Sequence, residues 1–303
     1  MTTQMQPATG PLPPDPIPGR RPRRLAAGAA VLLGLALAGG AAPAGAASFT
    51  YGDFGSTAGL TLNGAAAQSG TALRLVPSLD SQAGSAFRTA PVALGGSFST
   101  SFSFRVTSDA NSALGVTDGF TFLLQRGGAS ALGAGGQGLG YVGLDPSVAV
   151  VFRGRDPSFI GVVQGGTDPA NLAGDPKNPG SANFAPPGSA SGLTEALFYD
   201  RTQYAWIDYG LGNLLSVYLS DTAAKPASAI ATATLNIDAL LGNQVYVGFS
   251  AGNGGAFGTQ DILDWTFGSA GTAAVPEPAT LALLGAGLLG LATLRRRGRP
   301  TAV

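Results

Sequence analysis

The chain contains no histidine and no cysteine, and its only glutamates are Glu195 and Glu277. These absences remove most of the usual reactive chemistry. Without imidazole there is no ready general base near neutral pH. Ser-His-Asp and Cys-His nucleophile systems are therefore excluded, and so are zinc sites built on His or Cys. What remains is carboxylate chemistry carried almost wholly by aspartate. Glycoside hydrolysis needs two carboxyl groups flanking the bond, one of them protonated. Glu195 stands alone, no Glu-x-Asp-x-x-Glu cluster occurs, and Asp261 and Asp264 read as strand-end residues. Gly133–Gly140 has Gly-x-Gly spacing, but no βαβ unit surrounds it, so it is not a dinucleotide loop. The expectation is a binding or structural protein rather than an enzyme.

The elements that must position any binding residue are strands. Ser97 to Val106 alternates apolar and polar residues with period two, which points Phe98, Phe102, Phe104 and Val106 toward a core. Further strands are predicted at Gly119–Gln125, Gly140–Leu144, Val148–Arg153, Phe159–Gln164, Gln203–Tyr209, Leu214–Ser220, Ser228–Ile237, Gln244–Ser250 and Ile262–Phe267. Clusters of Gly, Ala, Asn and Pro separate them. A short turn near Ile237–Leu241 is the helical candidate of the core. Many strands with such punctuation imply an all-β sandwich or barrel. Gly165–Gly192 is the longest irregular stretch, read as a mobile insertion unless it is functional. Trp206 and Trp265 are expected to pack within sheets, and Asp208 and Tyr209 to face solvent.

The two ends have a different composition. Arg20, Arg21, Arg23 and Arg24 precede the apolar run Leu25–Ala38, followed by the small residues Ala42–Ser48. These are the three regions of a secretory signal peptide, with cleavage expected near Ala47. The Pro-rich first 19 residues are expected to be disordered. At the other end, Pro276-Glu277-Pro278 precedes the uncharged run Ala279–Leu294 and the basic cluster Arg295, Arg296, Arg297 and Arg299. Sixteen residues span roughly 24 Å as a helix, and flanking arginines extend that by snorkelling toward a hydrocarbon core about 30 Å thick. The arrangement resembles a PEP-CTERM sorting tail. That resemblance implies export and recognition by an exosortase-type sorting enzyme. It also implies a transient anchor in the inner membrane of a Gram-negative bacterium that makes exopolysaccharide, then release to the cell surface or matrix.

The predicted division is residues 1–47 as leader, 48–270 as the folded core and 271–303 as the tail. The formal charge of zero hides an asymmetry. The core holds seven arginines and two lysines against fourteen aspartates and one glutamate, a net charge of −6. An acidic core argues against nucleic acid as a partner. No disulfide supports the fold despite the exported destination, so burial must do so.

Several core segments, taken in order, resemble the legume-type (L-type) lectin family. They are Thr117-Asp118-Gly119-Phe120-Thr121-Phe122, Gly138-Leu139-Gly140-Tyr141-Val142-Gly143-Leu144, Val148-Ala149-Val150-Val151-Phe152, Ala205–Tyr209 with Leu214–Leu219, Tyr246–Ser250, and Asp261–Phe267. The resemblance implies a concanavalin-like β-sandwich (jelly roll) with a sugar site in loops at one end. Asp118 matches the family's sugar-binding aspartate, which often follows a cis peptide bond, here Thr117–Asp118. Gly140 matches the glycine whose backbone N–H approaches the sugar. Gly252–Thr259 matches the variable specificity loop, with Asn253 and Phe257 as candidate contacts.

The family's calcium and manganese loop does not carry over. Val151, Arg153 and Phe159 stand where ligands belong, and Gly154–Ser158 has no Asn. Calcium takes six to eight oxygen ligands, more than Asp156 alone supplies. The expectation is therefore no metal cofactor, with Arg153 or Arg155 pairing with Asp118 or Asp156 in place of the ion. The functional expectation is an exported, surface-associated carbohydrate-binding protein, polysaccharide being the ligand class. The alternative is a structural or adhesive matrix protein on the same fold.

Overall fold

A computed structural model describes residues 46–112, 117–155, 158–178, 188–191 and 199–270. The leader run Leu25–Ala38, Asp156, Glu195 and the tail with Pro276, Glu277, Pro278 and Arg295–Arg297 lie outside the described residues. Among the described residues, no helix is long and apolar enough to cross a membrane.

Among the described residues, sixteen strands form two eight-stranded antiparallel sheets packed face to face. One sheet contains β1 (Ser48–Tyr51), β3 (Ala67–Ser69), β4 (Ala72–Val76), β7 (Phe98–Ser108), β12 (Thr202–Gly210), β13 (Leu214–Ser220), β14 (Ala231–Thr234) and β16 (Gly258–Ser269). Its order is β14-β13-β12-β7-β16-β4-β3, with β1 also pairing with β16. The other contains β2 (Leu60–Gly64), β5 (Gln82–Arg88), β6 (Val92–Ala93), β8 (Gly119–Gln125), β9 (Ser147–Arg153), β10 (Phe159–Gln164), β11 (Ala190–Ser191) and β15 (Gln244–Asn253). Its order is β11-β10-β9-β8-β15-β5-β2, with β6 also pairing with β15. A short helix, α1 (Ile237–Leu241), is capped by Asn236, whose side chain accepts from the Ala239 N–H.

Period-two patterning decides which faces meet. Phe98, Phe102, Phe104 and Val106 of β7 are all buried, as the alternation predicts. They meet Phe120, Phe122, Phe152 and Phe249 from the opposite sheet. The Phe120 and Phe152 rings stack at 4.7 Å, and Phe102 meets Phe249 edge to face at 4.9 Å. Such pairs add to the area buried. Trp265 is fully buried and donates from its indole to Thr100 Oγ1 at 2.9 Å. β8 and β9 are buried on both faces because a second cluster, including Leu139, Tyr141, Phe159 and Leu172, covers their outer side.

Four local expectations are corrected. Gly140–Leu144 is not a strand. Leu139, Gly140 and Gly143 have φ of +50°, +67° and +93°, which breaks an extended run. Ser228–Ile237 shortens to β14, because Ile237 already begins α1. Tyr209 is buried, and its hydroxyl accepts from the Ile237 N–H. Trp206 is half-buried on the outer face of its sheet beside Tyr204, whereas Trp265 packs inside.

Candidate functional site

The ends of β8, β9, β15 and β16 converge at one pole of the sandwich. Gly119 pairs with Arg153 and with Gly252, which places Asp118, Arg153 and the turn after Asn253 side by side. Gly119 has φ of +128°, and a Cβ there would sit 2.2 Å from the Phe152 carbonyl oxygen. Only glycine permits this approach, which lets Asp118 turn into the pole. The Thr117–Asp118 bond is not cis; Asp145–Pro146 is the cis peptide among the described residues. The sharp backbone conformation falls at Gly119 instead. Tyr199 clamps the preceding residue, its hydroxyl accepting from Thr117 N–H at 3.1 Å and donating to Thr117 O at 3.2 Å.

Asp118 is 1 % exposed. Its Oδ2 accepts from the Gly254 N–H at 2.8 Å. Its Oδ1 is buried and has no hydrogen-bond partner. The nearest cation is Arg155, with Nη1 3.6 Å from Oδ1, an ion pair too long for a hydrogen bond. Burial raises the Asp118 carboxyl above the usual carboxylate range. The Gly254 N–H, Arg155 and Arg153 pull it back only in part. Arg153 is itself 2 % exposed. Burial lowers its pKa, Asp118 and Asp168 oppose that shift, and neighbouring Arg155 adds to it.

Gly136 and Gly254 form the backbone beside the carboxylate. A Cβ on Gly136 would lie 3.9 Å from Asp118 Oδ2, and one on Gly254 would lie 3.2 Å from it. Gly140 is not at this place. Its N–H donates to Ala134 O at 2.8 Å, and a Cβ there would meet Ala251 O at 2.7 Å. The residue is buried and serves packing of the loop on β15. Asn253 is also removed from the candidate contacts. It is fully buried, its amide donates to Pro77 O and Gly258 O, and its Oδ1 accepts from Gln260. Its polar atoms hold the β15–β16 turn closed. Phe257 remains half-exposed, with its N–H donating to Ser112 Oγ at 3.1 Å.

Gly254 falls within the expected Gly252–Thr259 loop, whereas Gly136, Gln137 and Asp168 were not singled out. Gln137 donates to Asp168 Oδ2 at 3.1 Å, which links the Gly136 turn to the stretch after β10. That stretch is anchored, contrary to expectation, over residues 165–178. Leu172 is fully buried, Asn178 bonds back to Gln164, and Tyr141 donates to Thr167 O at 2.6 Å. The useful signal was Leu172, a large apolar residue inside a polar run.

The positions matching the family's metal ligands do not suit a cation. Val151 and Phe159 are buried and apolar, and Arg153 brings a positive charge. Among the described residues, no three His, Cys, Asp or Glu side chains gather as a metal-binding group.

A family model, the legume lectin domain, matches residues 46–149 and 191–282. The chain belongs to the legume lectin domain family. Legume lectins are non-enzymatic carbohydrate-binding proteins, in keeping with the missing catalytic chemistry. A second model, the PEP-CTERM protein-sorting motif, matches residues 274–297 and indicates an exported protein. Solved lectins share the fold. The Bauhinia forficata lectin in complex with GalNAc is 21 % identical over 75 % of this chain and all of its own, with a TM-score of 0.59. The metal-free form of Griffonia simplicifolia lectin I-B4 is 24 % identical over 73 % of this chain and 98 % of its own, with a TM-score of 0.57. Arcelin-5, a lectin-like defense protein from Phaseolus vulgaris, is 22 % identical over 74 % of this chain and 97 % of its own, with a TM-score of 0.58. No curated protein matches the sequence.

Proposed function

We propose that this protein is an exported lectin-like module that binds polysaccharide at the Asp118 pole without a metal ion. The observation that carries this reading is the Asp118 carboxylate, buried among backbone glycines with one oxygen lacking a hydrogen bond. Buried polar atoms are usually satisfied, and the unsatisfied Asp118 Oδ1, with Thr117 Oγ1 next to it in the chain, leaves two polar atoms at this pole for a ligand. A pair of adjacent sugar hydroxyls suits a carboxylate, because bonds to charged acceptors are the stronger ones. Half-exposed Phe257 offers an apolar face to the ring. Arg155 takes over part of the ion's electrostatic task, and the calcium and manganese site of the family is lost through Val151, Arg153 and Phe159. The sorting motif supports delivery through an exosortase-type enzyme, with transient anchoring in the inner membrane and display at the cell surface.

A second reading, a structural or adhesive matrix protein, is favoured by the near-complete burial of Asp118. Sugar binding then requires the pole to open. The test is a glycan array that includes acidic and neutral bacterial polysaccharides, probed with residues 48–270 in EDTA and again in calcium. Binding that survives EDTA and is lost in Asp118→Ala supports the metal-free lectin. Absence of binding to every glycan supports the matrix protein.

A further inference from the structure

The strand register places the candidate site and the exit toward the tail at opposite poles. β7 and β16 run antiparallel through the middle of one sheet, with Ser108 opposite Gly258 and Phe98 opposite Ser269. Gly258 follows the turn whose Gly254 N–H binds Asp118. Ser269 ends β16, and Ala270 N–H donates to Ser97 O at 3.1 Å. Eleven residues of β7 separate the poles, a length of roughly 35 Å.

The exit pole carries an unusual surface. The β12–β13 hairpin turns through Leu211-Gly212-Asn213, and Leu211 is completely exposed. Hairpin tips ordinarily carry Gly, Asn, Asp or Ser. Leu214 and Leu240 are 43 % and 42 % exposed on the same pole. Leu235 N–H bonds Asn213 O, and Leu94 N–H bonds Asn243 O, which ties hairpin, α1 and the Ser97 region together. Gly95, Gly96, Ser97 and the hairpin tip line one shallow depression beside the exit. Single exposed leucines are ordinary, but three of the four large apolar side chains exposed among the described residues cluster here. The fourth, Leu79, sits near the Asp118 pole, because Asn253 bonds Pro77 O.

We propose that this pole is a membrane-resting face, with Leu211 inserted at the lipid interface while the tail is anchored, so that the Asp118 pole points away from the bilayer. The proposal rests on reading Ala279–Leu294 as a membrane helix. The nine residue-to-residue steps from Ala270 to Ala279 reach about 30 Å at full extension. The exit pole is therefore held close to the bilayer, and a contact too weak to recruit a free protein becomes intramolecular. Arg126 and Asp238 are both exposed near this pole. Their opposite signs, like those of the exposed Lys177–Asp145 ion pair that lines a depression with Leu240, leave the contact without net charge, so it does not require anionic lipid.

The chain has no cysteine, so Leu211→Cys and Leu79→Cys each give a unique labelling position. The full chain, labelled at either position with an environment-sensitive nitrobenzoxadiazole dye, is reconstituted through its tail into phosphatidylcholine vesicles. Protease protection and alkaline extraction report tail insertion independently. The expected result is a blue-shifted dye at 211, quenched by spin-labelled lipid at least twofold more strongly than the dye at 79. An inserted tail with equal, weak quenching at both positions overturns the membrane-resting face alone. A tail that does not insert overturns the reading of the tail, and the proposal with it.

Discussion

Two aspartates near arginines show how differently one fold uses a carboxylate. Asp261 on β16 receives Arg74 of β4 through two parallel hydrogen bonds, Nε to Oδ1 and Nη2 to Oδ2, both 2.8 Å. The pair ties strands 187 positions apart in the chain, and Asp261 holds the Arg74 pKa up mainly through these bonds. Asp118 is more deeply buried, yet it has one backbone hydrogen bond and a single cation at 3.6 Å. The first carboxylate is satisfied by its neighbours and stabilises the sheet. The second lacks those bonds where they are hardest to replace, and its burial opposes ionisation. The difference separates a carboxylate whose bonds are made within its sheet from one whose Oδ1 has no hydrogen bond.

The largest effect should come from Asp118→Ala. If the pole binds sugar, affinity on the best array glycan falls about tenfold to a hundredfold, the worth of one or two hydrogen bonds to a charged acceptor. An unchanged affinity would place the sugar elsewhere. Asp261→Asn should leave binding intact and lower stability by about 1–2 kcal/mol, seen as a drop of roughly 2–8 °C in the thermal midpoint. A midpoint that does not move would show the Arg74 pair to be ornamental.

Asp118→Asn probes the contrast through pH. The folded-state pKa of Asp118 is raised, so its protonation favours the native state. That contribution is present below the unfolded pKa and is lost as pH rises through the folded one. The Asn variant should therefore be more stable than the wild type at neutral pH, and the gap should close as pH falls into the carboxylate range. Denaturant midpoints at several pH values measure it, and a wild type that is more stable at neutral pH contradicts it. The smallest change should follow Arg155→Ala, whose side chain is 40 % exposed. Stability shifts by a few tenths of a kcal/mol. Loss of the cation raises the Asp118 pKa further, so glycan binding should fail at a higher pH on acidification, and a pH titration of binding detects the shift.

Much of the sandwich was legible because period-two alternation and Gly-rich punctuation are local signals. β8, β9, β10 and β13 fall within a residue of their predicted bounds, and α1 lies where the turn near Ile237–Leu241 was expected. Gly140–Leu144 was misread because apolar residues there pack on the outer face of β8 and β9 through a glycine-bent turn, which strand periodicity does not register. Of the candidate residues named from the sequence, Asp118 and Phe257 lie at this pole, and the buried side chains of Val151, Arg153 and Phe159 carry no oxygen ligand. Asn253 resembled a ligand, but its polar atoms are consumed by Pro77, Gly258 and Gln260. Gly136 and Asp168 went unnoticed because nothing in their immediate sequence links them to Asp118.

Composition and order in the chain, by themselves, determined the class of chemistry, the all-β architecture, the family resemblance and the sorting motif. Each depends on residue type or on spacing along one strand. The satisfaction of Asp261, the orphaned Oδ1 of Asp118 and the replacement of Gly140 by Gly136 beside the carboxylate were decided only in three dimensions. So was the placing of site and exit at opposite poles. Hydrogen-bond partners and charge neighbours come from strands tens to hundreds of residues apart, and which distant strands pair, and in what register, determines which of them meet.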